Sequence, residues 1–477
     1  LDALLAGATY VNVHSPAYPS GEIRGQVIPE GIVVAFGRLS GDQRVPVVNT
    51  PATGTFAVTV NSAAGTLVAH ANTSGIVDPT VAHIHDGYAG TNGGVAIPLA
   101  LDPNDDSHWS AIDAPVTANQ QAALRSGRYY LNVHTLLNGG GEIRGQIAPG
   151  SIEVLFTGMS GGQEVPANAS AASAIAASTV DLATGTITLH VNAAGVDDAS
   201  ASHIHLGFAG ENGGVQIGLA KDAGNPGHWF VTGAQLDDAR MTSYEDGQLY
   251  VNLHTPAFPG GEIRGQVAPP PVEVLFTDMS GDQEVPAVAT AATAIAASTM
   301  NRDTGVLTLH VRATGVDVAT ASHVHTAAAG QNGAVLVPLT KDAGDLGHWS
   351  ASAALNADSL GDYKAGGLYV NLHTPTNPGG EIRGQITPPD AANFDNIDPT
   401  VTLTSPGTPV SGTVTLTADA SDNQGVSVVR FLVNGTVIGS DTTAPFSLDW
   451  VTTTVANGDV TLAAEAEDAA GNIGVSG

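Results

Sequence analysis

The sequence contains no cysteine. Disulfides, thiolate metal sites, iron–sulfur clusters and cysteine nucleophiles are therefore excluded. Basic residues are scarce: 15 Lys and Arg against 45 Asp and Glu give a formal net charge of −30. Such a surface repels nucleic acid and anionic membranes, so neither is expected as a partner. No run of 18 apolar residues occurs, so no membrane-spanning helix is expected. No signal peptide is visible, and any export signal is expected upstream of Leu1. Only four Met are present, which argues against a soft Cu(I) site.

What is abundant is Gly, with 58 residues, together with Ala, Val and Thr. That mixture suits short strands joined by tight turns and an exported protein. A chain of 477 residues is too long for one core and implies several domains. Their period is readable directly. "HIH" at His83–His85 recurs at His203–His205, and "HVH" follows at His323–His325, a step of 120 each time. His70, His190 and His310 keep that step, as do His108, His228 and His348, each followed by Trp. "YLNVHT" ends at Thr135 and "YVNLHT" at Thr255 and Thr374, carrying His134, His254 and His373. "GEIRGQ" closes each copy from Gly141, Gly261 and Gly380, and a fourth begins at Gly21 behind His14.

The expected organisation is the tail of one copy at 1–29, full copies at 30–149, 150–269 and 270–389, a linker at 390–397, and a different module at 398–477. Segments such as "GTITLHVNAAGV" alternate with period two and read as strands. "TANQQAALRSG" reads as one or two helical turns. The last module alternates strongly, carries no His, and holds the hairpin signal "FLVNGTVIG". It reads as an immunoglobulin-like sandwich that stops one strand short, so both ends are expected to cut through domains. The fold class is all-β, with tandem sandwiches or barrels as beads on a string.

"QEVP", "HIHLGFAGENGG" and "YVNLHTPAFPGGEIRGQ" together resemble the CHRD (chordin-type) domain over residues 1–389. The resemblance implies Ig-like β-barrels with a weak similarity to copper/zinc superoxide dismutases. Two departures stand out. Copy one has Arg44 where the others have Glu164 and Glu284, and copy three has "HTAAAG" where copy two has "HLGFAG". The C-terminal module is similar to bacterial Ig-like repeats of surface proteins.

In a strand, residues i and i+2 share a face. His83 and His85 therefore project side by side, about 6–7 Å apart at Cα. His134 is placed to join them, with His70 or His108 arriving from elsewhere. The same holds for His203, His205, His254, His190 and His228, and for His323, His325, His373, His310 and His348. Three or four imidazoles without thiolate suit Cu(II) or Zn(II). The competing reading is buried structural histidines. For "GEIRGQ", the functional reading is a ligand or catalytic Arg. The structural reading, which is favoured, is an ion pair or an Arg bonded to loop carbonyls. The "GxNGG" runs read as turns, and the Trp after His108, His228 and His348 as core or hinge packing. "DPNDDSH" and "DASDNQG" offer acidic oxygens to calcium without a fixed ligand spacing.

Three functions compete. The first is an extracellular structural or cell-surface protein (a fibre, stalk or adhesin) that self-associates, for instance by strand addition. The second is a metal-sequestering or storage protein. The third is a superoxide dismutase-like oxidoreductase, disfavoured because no second, Asp-containing zinc block is visible. No Ser–His–Asp arrangement appears, and an enzyme is not expected.

Overall fold

The computed structural model describes residues 2–316, 318–391, 398–422, 425–468 and 472–476. Most of the expected linker and two residues of "DASDNQG" lie outside these. The chain forms two compact units, Leu1–Phe276 with Ala297–Arg312, and Thr277–Ala296 with Ala313–Gly477. None of the described helices is long and apolar enough to cross a membrane.

After a short helix at Asp2–Leu5, the first unit carries a hairpin of β1 (Tyr10–Val13) and β2 (Ile23–Gln26), paired antiparallel. Copy one then supplies β3 (Ile32–Ser40), β4 (Thr53–Asn61), β5 (Thr66–Ser74), β6 (Pro79–Asp86), β7 (Gly94–Asp102), β8 (Asp105–Pro115), β9 (Tyr129–Thr135) and β10 (Ile143–Ile147). These close into a barrel in the order β10-β3-β4-β5-β8-β7-β6-β9. The period-two pattern decides which side chains fill it. Phe56, Val58 and Val60 alternate inward on β4, and Leu67, Ala69 and Ala71 on β5. Small alanines in the core let the walls approach Trp109, Ile84 and Leu131 at the centre.

The helix Ala118–Arg125 forms where expected. Thr117 and Gln120 make a reciprocal capping box at its start. Gly127, at φ 71°, ends it in the left-handed conformation, and Leu124 plugs the barrel.

Copy two repeats this plan with one break. The segment equivalent to β7 is split into Val215–Gly218 and Ala220–Lys221, so the ring opens into a nine-stranded sheet whose two edge strands are consecutive in the chain. In copy three, Ala321–Thr326 pairs with Leu368–His373, and that strand pairs with Ile382–Ile386.

The "GxNGG" turns do more than reverse the chain. Gly90, at φ 83°, sits on copy two, and a Cβ there would lie 2.9 Å from the Cβ atoms of both Ala177 and His190. The Asn192 side chain donates to the Gly90 carbonyl at 2.9 Å. Gly210 repeats the docking against Ala297 and His310, with Arg312 donating to its carbonyl at 3.1 Å. A Gly90→Val substitution adds bulk where backbone and side chains already touch and strains a positive φ. It is expected to raise hydrogen exchange across Ser173–Ala194 while the copy-one barrel stays protected.

The C-terminal module is a sandwich. Thr400–Thr404, Thr413–Ser421 and Phe446–Val451 form one sheet. Val426–Val433, Thr436–Asp441, Leu462–Asp468 and Ile473–Val475 form the other, and Phe431, Trp450 and Leu416 lie in the core. Asn434 (φ 51°) and Gly435 (φ 76°) make the expected two-residue hairpin turn. Ile473–Val475 is a further short strand of this sheet, paired with Glu465–Glu467. At three residues it is too short to show as an alternating run.

Candidate metal centre

Three imidazoles converge in each full copy. In copy one, His83 and His85 stand on one face of β6, and β9 beside it brings in His134. The ring centroids are 5.3 to 5.6 Å apart. One nitrogen from each of His83, His85 and His134 lies within 4.8 Å of the others, and so it is for His203, His205, His254 and for His323, His325, His373.

The backbone fixes which nitrogen is available. Carbonyl oxygens only accept, so the Nδ1 of His85 must donate to Gly93 (3.0 Å) and that of His134 to Gly139 (3.0 Å). Their Nε2 atoms then carry the lone pairs. Copies two and three repeat the pattern through Gly213 and Pro259, and Gly333 and Pro378. Burial holds His85, His134, His205, His254, His325 and His373 below the ordinary imidazole value, so they are neutral at pH 7. In copy two, Nδ1 of His203 and Nε2 of His205 and His254 are all buried without a hydrogen-bond partner. Three orphaned lone pairs facing one small volume fit a divalent cation, and their all-nitrogen chemistry suits Cu(II) or Zn(II).

His70 and His108 do not join this cluster. His70 is on β5, and β8 and β7 separate it from β6 in the barrel. The two form their own stack, with His70 Nδ1 3.1 Å from His108 Nε2 and His108 Nδ1 3.4 Å from Asp102. His190, His228 and Asp222 repeat it at 3.1 and 2.9 Å, and His348 faces Asp342 at 3.3 Å. A carboxylate anchors one Nδ1–H, and that ring's Nε2 accepts from the next ring. His70 and His108, expected as a fourth ligand, instead form a hydrogen-bonded pair apart from the triad; in copy two the outer nitrogen of that pair, His190 Nε2, is buried without a partner. His310 lies on the Val306–Thr314 strand, its Nε2 3.9 Å from Glu211.

"GEIRGQ" supports the triad without entering it. Arg144 is fully buried and donates to the carbonyls of Thr91 (2.6 Å) and Tyr88 (2.9 Å) and to Gln146 (2.8 Å). Its guanidinium lies 3.5 Å from the centroid of the Tyr130 ring, and His85 stacks on that same ring at 5.0 Å. Burial lowers the Arg144 pKa to about 9. Glu142 instead takes hydroxyl hydrogen bonds from Thr50 and Thr135. Because Arg uses loop carbonyls, the side-chain change to "HTAAAG" leaves the cradle intact: Arg383 donates to Gln331 (2.6 Å) and Ala328 (3.2 Å).

Sequence reading missed Tyr130, Tyr250 and Tyr369, and Asn132, Asn252 and Asn371. All six sit in the "Y-x-N-x-H" run, where alternation places Tyr, Asn and His on one strand face, so the signal was present.

Fold and site together define a tandem β-repeat protein bearing one three-imidazole cluster in each full repeat. The model of the CHRD domain matches residues 1–27, 36–147, 155–267 and 275–386, and that of a bacterial Ig domain matches 399–473. The chain belongs to the CHRD domain family, as four tandem matches followed by an Ig-like domain. Among solved structures, fibronectin(III)-like modules of Clostridium thermocellum CbhA align with 18% identity over 36% of this chain and 82% of theirs, at a TM-score of 0.17. A tetra-tandem repeat from the extending region of a large adhesion protein aligns with 15% identity over 87% and 94%, at 0.16. Neither overlay is close, and the family assignment rests on the matched segments. No curated protein matches.

Proposed function

We propose that this chain is an extracellular structural or cell-surface repeat protein whose full CHRD repeats each hold one Cu(II) or Zn(II) ion. The tandem CHRD and Ig-like layout supports the structural role. The observation that carries the metal reading is the set of buried, unpartnered nitrogens of His203, His205 and His254. A bound cation would tie β6 to β9, and its counterparts elsewhere, adding stability by mass action. Self-association into a fibre or surface assembly accords with the repeat layout.

Elemental analysis of protein loaded with Cu(II) or Zn(II) and desalted tests this. At least two equivalents per chain are expected, and His205→Ala is expected to remove one. Retention of less than about 0.3 equivalents per repeat sinks the metal reading. Superoxide dismutation by the copper-loaded chain would instead revive the oxidoreductase alternative.

A further inference from the structure

The three triads are not equivalent. In copies two and three, a carboxylate stands behind the cluster. The Asn252 amide faces Glu164 Oε2 at 3.5 Å, and the Asn371 amide faces Glu284 Oε2 at 3.4 Å. Both carboxylates are buried. With its neighbouring amide turned to Glu164, His254 keeps Nε2 free of any partner. In copy three the Asn371 amide is likewise turned to Glu284, and His373 Nε2 meets a fellow member of the cluster, His323 Nδ1 at 3.1 Å, rather than an amide.

Copy one has Arg44 at this position. Its Nε donates to Gly141 at 2.9 Å and its Nη2 to Gly140 at 2.5 Å, so the guanidinium clasps the loop that follows β9. No carboxylate is there to accept from Asn132. That amide donates to His134 Nε2 instead, at 3.2 Å. Since His134 Nδ1 is committed to Gly139, Nε2 is the lone pair a cation needs. Copy one thus has one ligand nitrogen engaged by an amide that is not itself a ligand, and a buried cation close enough to act electrostatically on His134. Both effects oppose a divalent ion.

We propose that the residue at positions 44, 164 and 284 grades the three sites, making copies two and three tight and copy one weak. This rests on the metal-binding reading above. Residues 44, 164 and 284 act through the Asn amide and through charge, so they are positioning residues and not ligands.

The test is a competition titration of the full chain with Zn(II) against a chromophoric chelator, with Cu(II) electron paramagnetic resonance as a second readout. Two tight equivalents are expected, with a third weaker by about 10-fold or more, the size of a typical effect from behind a ligand. Arg44→Glu is expected to bring the third into the tight class. Glu164→Arg and Glu284→Arg are each expected to move one tight equivalent to the weak class. Arg44→Gln removes the charge and offers the Asn amide an acceptor, with hydrogen exchange reporting whether the loop still folds. Three equal equivalents in the parent chain overturn the grading while leaving metal binding intact, as does a Glu164→Arg chain that keeps both tight sites. No binding at any site overturns the reading beneath it.

Discussion

Arg264→Ala is expected to destabilise copy two by about 3–5 kcal/mol, from the hydrogen-bond acceptors it orphans and the packing it removes. Arg264 is fully buried and donates to the carbonyls of Glu211 (2.7 Å) and Phe208 (2.8 Å) and to Gln266 (2.8 Å). Its guanidinium lies 3.5 Å from the Tyr250 ring. Truncation leaves three acceptors without their donor, the buried Gln266 amide oxygen and the carbonyls of half-buried Phe208 and Glu211, each costing up to about 1–3 kcal/mol before relaxation, and removes the support on which His205 and Tyr250 stack. Gln266 is drawn in as well, because its amide bridges Gly207 and Gly247 (2.8 Å each). Arg264→Lys keeps the charge but not the planar fork and is expected to recover less than half of the loss. Hydrogen exchange of peptides covering Leu249–Val267 checks both, and unchanged protection in Arg264→Ala would refute the anchoring role. The effect should extend to Phe208–Gly213, since the Arg ties that loop to the barrel.

The repeat, the strand content and the helix cap were legible because they are local. Period-two alternation, a Thr and Gln three apart, and an Asn-Gly pair each act over a few residues. So was the core of the site: His83 and His85 share a strand face by necessity, and the "NVH" run supplied His134. What could not be read is which strands become neighbours. β6 lies against β9, some 50 residues away in the chain, while β5 lies against β8. That order alone decides that His134 joins the cluster and His70 does not. The role of Arg44 was equally out of reach. The sequence shows a Glu replaced by an Arg, but not that the exchanged side chain sits behind an Asn amide beside a ligand nitrogen. Asp102, too, gains meaning only when folding brings it against His108.

Acid should separate the copies, and copy one should fail first. His70, His83, His85 and His134 all have their pKa lowered by burial. Between the ordinary imidazole value and the lowered one, the unfolded chain binds a proton that the folded chain refuses. Stability is therefore full above about pH 6.5 and falls as pH drops through that window. In copy two, burial with His228 beside it lowers His190 from 6.5 to about 4, so that copy carries an acid-sensitive histidine as well. Copies two and three carry an opposing group. Burial raises Glu164 and Glu284 from 4.5 to about 7. From pH 7 down to about 4.5 the folded chain holds that proton and the unfolded chain does not, so acidification returns stability that ionisation had removed. Arg44 stands at that position in copy one and offers no such return. Hydrogen exchange on metal-free protein is thus expected to show β6 and β9 of copy one losing protection as pH falls below the ordinary imidazole value, before Ala201–Leu206 or Ala321–Thr326, where Glu164 and Glu284 offset the histidines. Arg44→Glu should move copy one toward the others. Loss of protection in all three copies at one pH would show that the carboxylates contribute nothing to the acid response.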